Sequence, residues 1–285
     1  MKINNIRPQD NNFLKVIANI AGAPKTLNYI GNLPTERRPS VAIVGTRKPT
    51  KYGKEVTERI AFELAHRGIV IVSGLALGVD GLAHRAALDA GGTTIAVLGN
   101  GLPAIYPSTH RQLADDIVRQ GGALLSEYPE NDPAYPAHFL ERNRIVSGLA
   151  DAIVITEAAQ RSGTLNTAMH AMEQGKEVFV VPGPITSPMS LGCNSLLKQG
   201  ATPLLSSDDV IDIIAPSLGA PQASLALGNN DTEIAILEFL QNGGRDGDAM
   251  QAALGISATE LSTSLTMLEI AGTIRALGAN QWTLR

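Results

Sequence analysis

Three stretches of the chain gather cations, hydroxyls and glycines just after short apolar runs. The first is Gly45-Thr46-Arg47, followed by Lys48, Lys51, Tyr52, Gly53 and Lys54. Four cations between the end of a strand and the first turn of a helix suit an anion, because the helix N-terminus adds unpaired N–H groups to the side-chain charge. The spacing is not G-x-G-x-x-G, so the dinucleotide fingerprint is absent. In the second stretch, Ser73-Gly74-Leu75-Ala76-Leu77-Gly78, the glycines let backbone N–H groups crowd an anion ahead of a helix beginning near Asp80. The third, Arg161-Ser162-Gly163-Thr164, again opens a helix with hydroxyl and amide donors. Any one of these could be an ordinary solvated loop. Three of them on one sheet edge point to a phosphate-binding rim.

Asp80 and His84 are four residues apart and share a helix face. They suit either a general-base pair or a helix-capping Asp with a hydrogen-bonded His. The second is favoured, since no nucleophile is placed beside them. The segment Tyr135-Pro-Ala-His138-Phe139-Leu140-Glu141-Arg142-Asn143-Arg144 brings scarce aromatics against two arginines and a histidine. Phe139 is suited either to stack a nucleobase or to fill the core. Arg142 and Arg144, two apart, cannot share one helix face, so one is expected to be structural, paired with Glu141 or Asp151. Cys193 has no partner base and reads as a buried, inert thiol.

The elements that must position these residues form an alternating series. Runs at 41–45, 69–73, 93–98, 123–126, 152–156 and 177–181 are near-continuously apolar, as strands buried on both faces of a parallel sheet are. Between them, amphipathic stretches near 52–67, 80–90, 108–120, 138–149 and 163–175 predict helices. The expected fold class is α/β: an extended Rossmann-like, doubly wound, mostly parallel sheet over 41–216, with ligands at the carboxyl ends of its strands. Residues 1–40 do not fit the repeat and read as an irregular lead-in with one short helix over 13–20. Residues 217–230 are small, uncharged and bear Gly and Pro, the composition of a linker. Beyond them, 231–285 predicts three short helices, the second and third capped by Asp248 or Ser257, and a hairpin: a small C-terminal winged-helix domain.

Composition limits what such a molecule does. Among 285 residues there are 23 Lys and Arg against 27 Asp and Glu, a net charge of −4, which excludes a bulk polyelectrolyte binder. Residues 231–285 hold three arginines and seven acids, so the whole deficit lies there and the remainder balances 20 against 20. The third predicted helix, ATELSTSLTMLEIAG, has two glutamates and no cation, which speaks against reading a duplex groove. A single Cys points to a reducing compartment and no Cys-rich metal site. No segment is apolar enough for a membrane span, and the N-terminus lacks a signal-peptide core, so a cytoplasmic location is expected. No metal and no cofactor are expected.

Together, GTR…YG, SGLALGVDGLAH, AVLGNGL, LLSEYP, FLERNRI, EAAQRSGTLNTA, VFVVPGP and GCNSLLKQGA resemble the DprA/Smf DNA-processing proteins, in order from about residue 20 to residue 214. The resemblance implies a homodimeric, non-enzymatic protein that binds single-stranded DNA entering the cell in natural transformation. It further implies protection of that strand and loading of a RecA-type recombinase onto it. By matching motif it assigns phosphate grip to Arg47, and the rest of the pocket to the SGLALG turn, Phe139, Arg142, Arg144 and the Ser162-Gly163-Thr164 turn. Departures are Asn166 and Thr156, where aliphatic residues are usual, and Trp282, where Tyr is commoner. The N-terminal helical domain of many members would not fit in the 40 residues before the first parallel strand. A role in a mobile element or in phage defence is an alternative context. The fold also resembles that of the LOG phosphoribohydrolases, an enzyme alternative, but Thr167 stands where their catalytic Glu would be.

Overall fold

The structure, a computed structural model, describes residues 2–218, 230–270, 273–278 and 280–284. Most of the expected linker at 217–230 therefore lies outside the described residues. The chain divides into two compact units, one within residues 1–219 and the other within 220–285.

The first unit contains β1 (Asn4–Ile6), β2 (Leu27–Gly31), β3 (Ser40–Val44), β4 (Val70–Ser73), β5 (Thr94–Leu98), β6 (Ala123–Ser126), β7 (Ala152–Ile155), β8 (Glu177–Val180) and β9 (Thr202–Pro203). Its α-helices are α1 (Lys51–His66), α2 (Val79–Asp89), α3 (Arg111–Arg119), α4 (Pro136–Leu149), α5 (Thr164–Glu173), α6 (Leu191–Lys198) and α7 (Ser207–Ile214). The strands form one sheet in the order β1-β2-β6-β5-β4-β3-β7-β8-β9. From β6 to β9 every pairing is parallel.

Burial on both faces explains the unbroken apolar runs. Along β3, Ala42 and Val44 face a cluster that holds Ile145 and Leu149 of α4, Ala168 of α5 and Leu196 of α6. Val41 and Ile43 face the opposite cluster, with Ile60 and Leu64 of α1, Ala83 of α2 and Ile211 of α7. Each such Ile or Leu contributes about 1.5–3 kcal/mol by leaving water. The chain runs outward from β3 to β6, then returns to the other side of β3 as β7. The strand order therefore reverses between β3 and β7, and the crevice at their carboxyl ends is the topological switch point.

Residues 1–40 are a correction. They supply a short 3-10 helix, Leu14–Asn19, and also two strands that extend the sheet antiparallel: β2 against β6, and β1 against β2. Leu27 and Ile30 are buried in β2, while Asn28 and Tyr29 between them are only half-buried. That broken pattern is why a search for continuous apolar runs passes over the segment. The lead-in is tied down further by Arg37, which pairs with Asp151.

The second unit consists of α8 (Asp231–Gln241), α9 (Gly247–Leu254), α10 (Ala258–Ile270) and a hairpin of β10 (Ile274–Gly278) and β11 (Gln281–Leu284). Its own core joins Ile236, Leu237, Met250, Leu265, Leu268 and Ile274. Ser257 Oγ accepts the Glu260 N–H at the start of α10, as anticipated. Asp246, rather than Asp248, caps α9 by accepting the Ala249 N–H.

His84 belongs to the core, not to a catalytic pair. The Thr94 hydroxyl donates to the Ile71 carbonyl at 2.8 Å, so at 2.7 Å it accepts from His84 Nδ1. This leaves Nε2 buried without a partner among the described residues, and a proton there would have no acceptor. Burial accordingly pushes the imidazole down to about 3, helped by His110 and Arg142. Between pH 6.5 and about 3 the unfolded chain binds a proton at His84 that the folded chain does not, so stability falls as pH falls through that window. The expected slope from this group is about 1.4 kcal/mol per pH unit. Urea unfolding of His84→Gln at a series of pH values should show that component missing below pH 6.5. Parallel curves for variant and parent would refute the assignment.

Candidate functional site

At the switch point a cavity of about 330 Å³ opens between the β3–α1 turn and the β7–α5 turn. Gly45, Thr46 and Arg47 of the first turn and Arg161, Ser162, Gly163 and Thr164 of the second line it, together with Phe139 and the buried Arg142 of α4 and with Ala76 and Asp80. Residues of all three glycine-bearing turns meet here, the second through Ala76.

The β3–α1 turn is held from below. Thr46 N–H donates to the Glu157 carbonyl at 2.8 Å, and the buried Glu157 carboxylate accepts the N–H and hydroxyl of Thr50, the N-cap of α1. A Cβ on Gly53 would lie 2.4 Å from that carboxylate, so the helix needs glycine there to approach. Thr156 beside it donates to the Thr57 hydroxyl, which itself donates to the Gly53 carbonyl at 2.6 Å. A hydroxyl in place of the usual aliphatic group is therefore satisfied. The exposed Arg47 makes no ion pair among the described residues, and its guanidinium lies 5.6 Å from the centre of the Phe139 ring. On the facing turn, Ser162 Oγ accepts the Thr164 N–H and donates to the Thr164 hydroxyl, a small polar wall at the start of α5.

The SGLALG turn acts differently from the expectation. Its amides are used internally: Asp80 accepts the N–H groups of Gly74 and Ala76, and Val79 N–H donates to the Thr46 carbonyl. Ser73 is buried and donates to the Ile43 carbonyl. Arg142, also buried, donates to the carbonyls of Gly74 and Val97. Burial pushes the Asp80 carboxyl above its ordinary range and the Arg142 guanidinium below its own, and the attraction between the two opposes both shifts. Gly74 and Ala76 thus brace the site through Asp80, while Ala76 also lines the cavity and Leu77 and Gly78 the hollow beside it.

Other expected residues stand apart from the cavity. Arg144 pairs with Glu127 at 2.7 Å, so both arginines of the segment are engaged, with neither Glu141 nor Asp151 carboxylates as partners. His138 stacks on Tyr128 at 4.0 Å, and Lys51 is exposed at the first turn of α1. Lys48 and Gly78 line a neighbouring hollow. Cys193 is buried, its thiol pushed up to about 11 by desolvation, as an inert core cysteine should be. Tyr106, outside the motifs named above, packs its ring 5.4 Å from Phe139. Asn143 and Thr167 also line the cavity. They follow Phe139 and Thr164 by four and three residues, a signal that helical spacing could have given.

Comparison with known proteins gives the chain clear relatives. A family model described as DNA recombination-mediator protein A matches residues 4–215, and a DprA winged helix domain model matches 219–280. The chain is 40% identical over 270 residues to protein Smf of Escherichia coli, covering 92% of this chain and 72% of that one. It is 44% identical over 172 residues to DNA processing protein DprA of Bacillus subtilis, covering 60% of this chain and 58% of that one. Among solved structures, DNA processing protein A from Streptococcus pneumoniae superposes with TM-score 0.70 at 39% identity, over 75% of each chain. DNA processing protein A from Helicobacter pylori, whose structure is described for its single-stranded DNA binding mode, gives 0.66 at 33% identity, covering 76% of this chain and 97% of that one.

A Cβ on Gly74 would fall 2.5 Å from both terminal nitrogens of Arg142. Gly74→Ala should therefore destabilise the first unit by about 2 kcal/mol or more. Arg142→Met, which leaves the Gly74 and Val97 carbonyls buried without their donor, should cost about 2 kcal/mol or more. Arg47→Ala should stay within about 0.5 kcal/mol of the parent. Chemical denaturation checks all three, and an Arg142→Met variant as stable as the parent would sink the bracing role.

Proposed function

The chain belongs to the DNA recombination-mediator protein A family, and from that premise we propose that it is a single-stranded-DNA-binding recombination mediator. The observation that carries this is the unpaired Arg47 guanidinium poised over Phe139 at the switch point, facing Arg161 and the Ser162–Thr164 turn. Arg47 and Arg161 grip backbone phosphate, the hydroxyls of Ser162 and Thr164 orient it, and Phe139 stacks a base. A strand so held is shielded from nucleases and presented to a RecA-type recombinase during natural transformation. The protein works as a homodimer in the cytoplasm. Among the described residues no helix is long and apolar enough to cross a membrane. The acidic second unit serves protein contact, since α10 carries no cation with which to grip a duplex.

The function is binding without catalysis. Asp80 is the one carboxylate among the residues lining the cavity, and it is committed to Gly74, Ala76 and Arg142. Thr167, also lining it, has no acid or base function to offer a glycosidic bond.

Fluorescence anisotropy with labelled oligothymidylate and with duplex, across a salt series, tests the reading. Tight binding of the single strand is expected, with affinity that falls as salt rises. Arg47→Ala should weaken it about tenfold or more, the loss of one charge-assisted contact to phosphate. Phe139→Ala should cost about 1–3 kcal/mol, roughly five- to hundredfold. A parent protein that prefers duplex, or an Arg47→Ala variant with unchanged affinity, would overturn it.

A further inference from the structure

Arg47 lines three hollows, not one. Beside the switch-point cavity lies a small slot of about 40 Å³ bounded by Leu77, Tyr106, Pro107 and Phe139. Past Leu77 is an open basin of about 400 Å³ lined by Lys48, Lys54, Arg85 and His110. We propose that a bound single strand runs on from the switch point, over Leu77 and Tyr106, into this basin, where Lys54 and Arg85 hold further backbone phosphates. The proposal rests on the single-strand reading above and extends its binding site.

The first support is charge. Several arginines elsewhere in this unit are neutralised, Arg37 by Asp151, Arg59 by Glu63, Arg67 by Asp208, Arg119 by Asp116 and Arg144 by Glu127, although Arg38 and Arg111 form no ion pair among the described residues. Around the basin Arg47, Lys48, Lys54 and Arg85 form no ion pair among the described residues, and no carboxylate lines the hollow. Four like charges about one cavity repel one another, and a polyanion removes that repulsion.

The second support is construction. Lys48 and Lys54 come from the β3–α1 turn and α1, Arg85 from α2, and the floor is fixed by His110, whose Nδ1 lies 2.9 Å from the Leu75 carbonyl. A Cβ on Gly81 would fall 2.6 Å from the His110 ring, so the close approach of ring and helix depends on that glycine. Between the two cationic sites, Leu77 and Tyr106 are 45% and 49% exposed. They offer apolar surface to a base lying between two gripped phosphates. The track also has an end. The next groove along α1 and α2 shares Arg85, but there Glu63 is paired with Arg59 and the remaining acids, Glu58 and Asp89, outnumber Arg85 and disfavour phosphate.

The test compares strand lengths in the full chain. Single-strand sites span about 4–16 nucleotides, so oligothymidylates near the two ends of that range are the probes. Lys54→Ala/Arg85→Ala should lose about tenfold for the long probe and at least fivefold less for the short one. Its salt slope on the long probe should be shallower by about 1.4, two contacts at about 0.7 each. The charge-keeping Lys54→Arg/Arg85→Lys should bind like the parent, which separates lost charge from disturbed fold. If Arg47→Ala weakens both probes while the double alanine variant matches the parent on the long probe, the basin is refuted and the switch-point site stands. If Arg47→Ala leaves both probes unchanged, the switch-point reading itself fails.

Discussion

A buried guanidinium organises the ligand edge of this protein. Arg142 reaches from α4 to the carboxyl ends of β4 and β5, where it takes up the carbonyls of Gly74 and Val97. Strand ends that turn into loops leave carbonyls without ladder partners, and burying them unpaired costs a few kcal/mol each. One arginine satisfies two, and its charge is answered by Asp80, which in turn ties down the N–H groups of Gly74 and Ala76. Gly74 has no side chain because the guanidinium occupies the place where a Cβ would go. The glycines, the acid and the arginine of two distant motifs are therefore one packing solution.

That solution lets a second arginine stay free. Because Arg142 and Asp80 fix the backbone beneath the cavity, Arg47 needs no partner to hold its loop. The loop is set by Glu157 behind it and by Val79 N–H on the Thr46 carbonyl. A cation held on a rigid support without a counter-charge is preorganised for an incoming anion, and little reorganisation opposes binding. Lys48, Lys54 and Arg85 share that condition, while Arg144, equally prominent in the sequence, is tied to Glu127.

The parallel sheet was legible in the sequence, because strands such as β3 bury both faces and leave no polar interruption. The placement of the site followed from topology, since the strand order reverses between β3 and β7 and their turns must converge there. What pattern could not separate is one arginine from another. Arg142 and Arg144 differ by two positions and point into different surroundings, one to backbone carbonyls contributed by residues 68 and 45 positions away. Spacing along a helix carries no information about such long-range partners. The same limit explains β2, whose half-exposed Asn28 and Tyr29 hide an antiparallel strand, and Tyr106, whose link to Phe139 exists only once α4 crosses the sheet edge.

Net charge misleads here for a related physical reason. The screening length at physiological salt is about 8 Å, so a phosphate in the cavity responds to the cations lining it far more than to acids elsewhere. The acids of the second unit, seven against three arginines, set the sign of the whole chain. Within the first unit the balance is even, yet several acids are consumed in pairs with arginines, while Arg47, Lys48, Lys54 and Arg85 line one hollow without a carboxylate. Pairing, rather than the number of cations, therefore decides where this molecule attracts a polyanion. By the same logic the carboxylates of Glu58 and Asp89, which line the next groove with Arg85, act as a boundary to the track.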